Sequence, residues 1–394
     1  MDRFRHTHIL GASGTGKTTL LVNTALDDIG RGEGICFLDP HGDAIDDILA
    51  RIPKRRAKDV ILFDPSDYEW PVAWNPLSTI PQESRAFVAS SILTSAKAIW
   101  EYTIPTPVLD EVLYASTAAL LDTPGGTLLG MKFLLTSPKY RKHVRSYIKD
   151  PIVKDFWGDF ENLPEKDKRE MTRSTLNKIR YLLADPHVRN TIGQKKSAFV
   201  LEKVMSDSKM LLVRLPQGRL GLEKTRMLGA LLLSQVHTTA LRRTGRTPFH
   251  VFIDECHDFA TPTLYEMLSG IRKFGVSLTL ANQYLDQLPR KLLSAILGNV
   301  GTRIIFRVGI EDSERLHRTI PHDNTEPMLH ELAQYEARIF TGSSMSRNVY
   351  PPLPGGFNAE SARKIANKSR ISYASPRADV EAKIDKMLGR MKCG

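Results

Sequence analysis

One octapeptide constrains this 394-residue chain more than any other feature. Gly11-Ala12-Ser13-Gly14-Thr15-Gly16-Lys17-Thr18 fits the pattern Gly, four residues, Gly-Lys-Ser/Thr, between a β-rich run at 6–10 and helical periodicity at 16–29. Glycines let the backbone turn and aim successive N–H groups at phosphate oxygens, and the helix N-terminus adds its dipole. Lys17 is placed to reach the β- and γ-phosphates, and the Thr18 hydroxyl to bind Mg²⁺, which keeps most of its waters and takes few protein ligands. The candidate nucleotide-binding set is Gly11, Ser13, Gly14, Thr15, Gly16, Lys17, Thr18 and Thr19.

A phosphate loop needs a second half. Val251-Phe252-Ile253-Asp254-Glu255 reads as an apolar strand ending in two carboxylates at its C-terminal edge, where open α/β sheets bind ligands. Asp254 is the candidate second Mg²⁺ ligand. Glu255 is the candidate base that orients and polarises the attacking water, the part that separates an ATP hydrolase from a phosphate holder. Gln283 follows the apolar run 276–280 and should reach the same edge, where an amide can sense the γ-phosphate.

The wider pattern agrees with an α/β core. Strands are expected at 6–10, 34–38, 59–64, 210–215, 249–253, 276–280, 302–307 and 338–340, with helices at 16–29, 44–52, 222–242 and 264–274. From 83 to 195 the β-rich runs vanish and helical spacing takes over between Pro and Gly breaks, which predicts an inserted all-α domain. The expected organisation is thus a discontinuous core over 1–82 and 196–350, the insert at 83–195, and a basic tail at 351–394 that reads as a linker with one weak helix at 380–388.

Composition excludes several classes. At 41% hydrophobic and 25% charged, the chain is an ordinary globular protein. Three scattered cysteines, Cys36, Cys256 and Cys393, make neither a disulfide framework nor a four-ligand zinc site. No apolar run of membrane-spanning length and no leader-like start occur, so a cytoplasmic protein without its own transmembrane segment is expected. The net charge of +11 is concentrated in the tail: residues 361–394 carry nine Lys or Arg against three Asp or Glu. Lys166, Lys168, Arg169, Arg173, Lys178 and Arg180 on the helical insert are candidate DNA-facing charges, with a solvated helix face as the plainer alternative.

Taken in order, these stretches resemble the HerA/FtsK superfamily of ring-forming DNA-pumping ATPases and, within it, the TraG-like coupling proteins of conjugative type IV secretion. The resemblance rests on the loop at Gly11 to Thr18, Phe37-Leu38-Asp39-Pro40-His41-Gly42-Asp43, Trp74-Asn75-Pro76-Leu77, Ile253-Asp254-Glu255, Arg272-Lys273-Phe274-Gly275, Ala281-Asn282-Gln283, and Asn299-Val300-Gly301-Thr302 with Phe306-Arg307-Val308-Gly309. It implies a RecA-like P-loop NTPase core, a mostly parallel sheet flanked by helices, carrying an all-α domain. It further implies a homohexamer that moves DNA, double-stranded and with little sequence preference, by hydrolysing ATP with Mg²⁺. By position in the family pattern, Gly11 to Thr18 is the Walker A loop, Asp254 and Glu255 the Walker B pair, Gln283 the γ-phosphate sensor and Arg272 a finger donated to the neighbouring subunit's ATP. A nuclease, relaxase or secretion-system partner fits this reading. A nucleotide-gated scaffold and an ATPase that escorts protein cargo are the rival readings.

Overall fold

The computed structural model describes residues 5–100, 105–318, 327–342 and 344–393. The chain divides into two compact units, one of residues 1–63, 201–218 and 239–369, the other of 64–200, 219–238 and 370–394.

The first unit is built on nine strands: β1 (Thr7–Leu10), β2 (Gly34–Asp39), β3 (Val60–Phe63), β4 (Met210–Arg214), β5 (Phe249–Ile253), β6 (Val276–Asn282), β7 (Thr302–Phe306), β8 (Glu336–Thr341) and β9 (Ser344–Val349). Their order is β3-β4-β2-β5-β6-β1-β7-β8-β9. The first seven positions are parallel, and β8 and β9 add antiparallel. Strands β1, β2, β5 and β6 are buried along their whole length; β2 is close to the unbroken apolar run that burial on both faces favours, whereas β1, β5 and β6 also bury Thr7, His8, His250, Ser277 and Thr279. All the parallel strands end on the same edge, so the residues following β1, β5, β6 and β7 are gathered there by topology alone.

Helices α1 (Lys17–Gly30) and α2 (Asp43–Leu49) pack on this sheet through Leu21, Val22, Ala25, Ile29, Ile45 and Ile48, all essentially inaccessible. The second unit is helical: α3 (Arg85–Ile99), α4 (Pro107–Asp122), α5 (Leu128–Thr136), α6 (Pro138–Arg145), α7 (Pro151–Asn162), α8 (Glu165–Ala184) and α9 (Pro186–Ile192). Four of these seven begin with proline at the first turn, where its missing N–H is harmless. Asn75 knits the unit: its amide donates to the carbonyls of Gly126 (2.8 Å) and Lys195 (3.0 Å), and its oxygen accepts from Leu77 N (3.0 Å). α10 (Leu201–Ser206) and α11 (Gln217–Leu220) follow, then α12 (Leu222–Arg242), within which the boundary between the units falls. α13 (Pro262–Gly270), α14 (Arg290–Asn299) and α15 (Ile310–His317) complete the first unit's connections.

Three segments differ from the sequence expectation. The helix expected over 264–274 stops at Gly270 and continues as a single 3-10 turn, Ile271–Phe274, ended by Gly275 at φ +73°. β9 carries no apolar alternation because it is an exposed edge strand, so nothing in its sequence announces it. Residues after 358 form two helices instead of a linker with one: α16 (Ala359–Tyr373), which buries Ile365 in the core of the first unit, and α17 (Arg377–Cys393). α17 buries Val380, Ile384, Met387 and Met391, spaced at 4, 3 and 4 residues, a helical stripe diluted by the lysines between its members. Cys36 and Cys256 are buried free thiols, and the Cys393 side chain lies outside the described residues. Among the described residues, no helix is long and apolar enough to cross a membrane.

Candidate nucleotide site

The phosphate loop hangs from three adjacent strand ends. Gly11 N donates to the carbonyl of Asn282, the last residue of β6 (3.4 Å), and Ala12 N donates to Arg307 O just after β7 (2.8 Å). Gly14 and Gly16 take φ of +75° and +116°, conformations that cost an L side chain on the order of 1–2 kcal/mol or more. Gly16 caps α1 without any side-chain bond, and no acidic residue occupies that helix's first turn, so the amides there face outward for an anion. Within the loop, Thr15 Oγ1 donates to Ala12 O (2.8 Å) and so does Lys17 Nζ (3.1 Å). Burial lowers the Lys17 ammonium below its usual range, opposed by the charges of Glu255 and Asp254. Ser13 and Gly14 stand at the exposed rim, and Thr18 and Thr19 are half-buried in the first turn of α1.

A chain of hydrogen bonds runs outward from this loop along the strand ends. Thr18 Oγ1 donates to Asp254 Oδ2 (3.0 Å), Glu255 N donates to Asp254 Oδ1 (3.0 Å), and Gln283 Nε2 donates to Glu255 Oε1 (2.6 Å). Glu255 sits at φ +45°, a left-handed conformation for a non-glycine residue at the tip of β5, and strain of this kind gathers at functional sites. Its second oxygen, Oε2, has no hydrogen bond, with His257 Nδ1 3.4 Å away. Burial, then the charges of Asp39 and Glu255, push the Asp254 carboxyl up to about 6. That surplus of buried negative charge, beside one hydroxyl and one carboxylate, fits a hydrated divalent cation that takes few protein ligands. Thr18 and Asp254 would hold it.

Asp39 and His41 have a more local explanation. The Asp39 carboxylate accepts from His41 N (2.8 Å) and Ala44 N (2.9 Å), so Asp-Pro-His-Gly-Asp is the turn that launches α2. Asp39 still reaches Asp254 through its charge.

Arg272 is not brought to this site. It lies exposed in the turn before β6, and its charge is felt by His6 ahead of β1, where burial foremost and then Arg272 lower the imidazole to about 4. Gln283 is at the far end of β6, roughly 20 Å away at about 3.3 Å per residue. Arg272 and the Gln283–Glu255 pair thus occupy opposite edges of the same sheet.

Two residues with no motif join the site. Gln334 Nε2 donates to Gly14 O (3.1 Å) and Tyr335 N donates to Thr15 O (2.9 Å), clasping the phosphate loop from outside. Tyr335 is left-handed at φ +65°, and a Cβ on Gly16 would lie 2.7 Å from its ring. No local pattern in the sequence marks them; the antiparallel return of β8 beside β7 puts them there. A 690 Å³ cavity between α1 and Pro351–Pro354 includes none of these site residues.

A strand, a glycine-rich phosphate loop, a helix and an acidic strand end joined through Thr18 define a P-loop nucleotide-binding core on a RecA-like sheet. The chain belongs to the family of type IV secretion-system coupling protein DNA-binding domains, whose model matches residues 2–349. Its fold is similar to that of the bacterial conjugative coupling protein TrwBΔN70 in its unbound form, at 15% identity over 91% of this chain and 87% of that one, TM-score 0.66. It is equally similar to the plasmid coupling protein TrwB in complex with ADP and Mg²⁺, at 18% identity over 91% and 88%, TM-score 0.65. VirB4 of Thermoanaerobacter pseudethanolicus matches at 15% identity over 89% and 90%, TM-score 0.58. The comparison with curated proteins found no match.

Proposed function

We propose that this chain is the ATP-hydrolysing subunit of a ring that moves DNA, acting as the coupling ATPase of a conjugative or related transfer system. The observation that carries this reading is the bonded series Thr18, Asp254, Glu255, Gln283 beside an anion-ready loop. A nucleotide holder has no need of Glu255 and Gln283; a hydrolase needs both. Family membership supports DNA as the cargo. TrwB has been captured with ADP and Mg²⁺, which supports the same cofactors here.

In this reading the amides of residues 13–18 and the Lys17 ammonium hold the phosphates, and Thr18 and Asp254 hold Mg²⁺, which offsets charge on the phosphate oxygens. Glu255 Oε2, free of hydrogen bonds, accepts from the attacking water. As the water oxygen bonds to the γ-phosphorus, the bond to the β–γ bridging oxygen breaks, and the water proton passes to Glu255. Gln283, holding the other Glu255 oxygen, transmits the presence of the γ-phosphate to β6. Arg272, remote from its own loop, completes the site of a neighbouring subunit, so hydrolysis belongs to the assembled homohexamer. A relaxase, nuclease or secretion-channel component is the partner class this activity serves.

The test is the ATPase rate against protein concentration, with and without duplex DNA, for the wild type and Lys17→Ala. Turnover that rises cooperatively with concentration, is stimulated by DNA and is lost in Lys17→Ala is the expected result. Turnover indifferent to both DNA and concentration would refute the motor and favour protein cargo or a nucleotide-gated scaffold.

A further inference from the structure

The second unit contains a basic groove of its own. Two cavities, of 500 and 400 Å³, open beside α8 and share Arg180. The larger lies between α8 and the α5–α6 corner, where Leu135, Thr136 and Pro138 form the opposite wall; the smaller continues to Lys132 and Arg189.

The cations lining the groove are not equivalent. Arg141 is engaged, with Nε on Glu161 (2.5 Å) and Nη1 on Leu134 O (3.0 Å), and Lys168 pairs with Glu165 (3.0 Å). Arg189 closes the end of α8 by donating to Leu183 O and Ala184 O. Lys178, one of the sequence candidates, lies over the Trp100 ring at 5.4 Å and does not line the groove. Arg169, Arg173 and Arg180 remain: all three are exposed, all line the larger cavity, and none is within salt-bridge distance of a carboxylate among the described residues. At 100° per residue they fall within an arc of about 40° on α8, while Asp167 projects from roughly the opposite side. Along the axis they stand about 6 and about 10 Å apart, close to two and three nucleotide steps of roughly 3.4 Å. Glu165, already paired with Lys168, also lines this cavity and offsets part of the Arg169 charge; the guanidinium groups in excess on this wall repel one another, and a polyanion of matching spacing relieves that repulsion.

We propose that the groove along Arg169, Arg173 and Arg180 binds the phosphate backbone of DNA, through charge and without reading bases. This rests on the reading of DNA as the cargo and names where the helical unit touches it. Asn177, also lining the groove, can donate to a phosphate oxygen.

The experiment is fluorescence anisotropy of a labelled mixed-sequence duplex across a salt series, using the full chain. Four proteins are compared: wild type, the triple variant Arg169→Gln/Arg173→Gln/Arg180→Gln, the same three positions changed to Lys, and the charge-matched triple Lys54→Gln/Lys58→Gln/Arg363→Gln on the other unit. Melting temperatures check that all three triples fold. The groove triple should bind about tenfold more weakly at physiological salt, with the slope of log K against log salt shallower by about two to three; the control should stay near wild type. The Arg→Lys triple should recover most of the loss, because a backbone phosphate reads charge more than shape. Equal weakening in both Gln triples would reduce the effect to net charge and overturn the groove. Undiminished binding by the groove triple overturns it too and leaves DNA as cargo, whereas a wild type that binds polyglutamate but no duplex removes the cargo reading as well.

Discussion

Asp254→Asn should make the nucleotide-free protein more stable while removing its activity. The Asp254 carboxyl lies 4% exposed between Asp39 and Glu255, and burial with those charges carries it from the ordinary 3.8 to about 6. At neutral pH that displacement corresponds to roughly 3 kcal/mol against the folded state. The sign follows from where each state titrates. Above pH 6 the group is ionised in both states and the folded chain bears the full cost; as pH falls from 6 towards 4 the folded site protonates first and the cost disappears. Asparagine never carries the charge, but it keeps a single oxygen where aspartate accepts from both Thr18 and Glu255 N, a loss of about 1 kcal/mol. The net expectation at pH 7.5, without metal or nucleotide, is a gain of about 1–2 kcal/mol that shrinks to nothing or reverses by pH 5. All four tryptophans fall in residues 64–200, so their fluorescence reports the helical unit; amide exchange of β1 and β5 is the suitable assay. Comparing variant with wild type cancels the buried histidines, which titrate alike in both. A variant less protected than wild type at pH 7.5, or a difference that ignores pH, would refute the account of the acidic cluster.

Gly16→Ala should weaken binding of a fluorescent ATP analogue at least tenfold, since φ +116° and a Cβ 2.7 Å from the Tyr335 ring together cost about 2 kcal/mol or more; adding Tyr335→Ala should restore only the steric part. Burial holds His8, whose Nε2 meets Asn282 Oδ1 at 2.7 Å, down to about 4, so the stability it protects is full above pH 6.5 and about 3 kcal/mol is lost as pH falls to 4. His8→Gln should flatten that part of the unfolding profile, and an unchanged acid slope would count against it. Gln283→Ala should lower kcat by about 10- to 100-fold with nucleotide affinity within a few fold, because it frees Glu255 without touching the phosphate loop; matched losses in kcat and affinity would assign Gln283 to binding instead.

The parallel core was legible in the sequence because short, mostly apolar β-rich runs bounded by turn residues alternate with segments of helical periodicity. Asp254, Glu255 and Gln283 were legible for the same reason: a residue just past such a run must arrive at the shared sheet edge, and the bonds among them follow. Gln334 and Tyr335 were not. Their place depends on β8 turning back beside β7, a pairing between segments 30 residues or more apart that no local pattern encodes. β9 was hidden by its exposure, and α17 by lysines that dilute the stripe of Val380, Ile384, Met387 and Met391. On α8 the sequence supplied six basic candidates, and groove lining together with side-chain partners separates Arg169, Arg173 and Arg180 from Lys166, Lys168 and Lys178.

The position of Arg272 carries the assembly argument. A strand of seven residues separates the turn holding Arg272 from Gln283, and no rotamer of a side chain about 7 Å long crosses that distance to its own phosphate loop. In the proposed ring, any part it takes in hydrolysis is therefore played at another subunit's site, which requires the β6 entry edge of one protomer to face the strand-exit edge of the next. Arg272→Ala should then bind nucleotide normally and fail to hydrolyse it, and Lys17→Ala should fail for a reason confined to its own loop. Mixed in equal amounts, the two recreate an intact site wherever an Arg272→Ala protomer with a sound loop abuts a Lys17→Ala protomer with a sound finger, about one interface in four in a randomly mixed ring. Recovery of about a quarter of the wild-type rate is the expected outcome. Full activity of Arg272→Ala alone would show that the site closes without its neighbour, and the reason for a ring would then have to lie in the DNA and not in the chemistry.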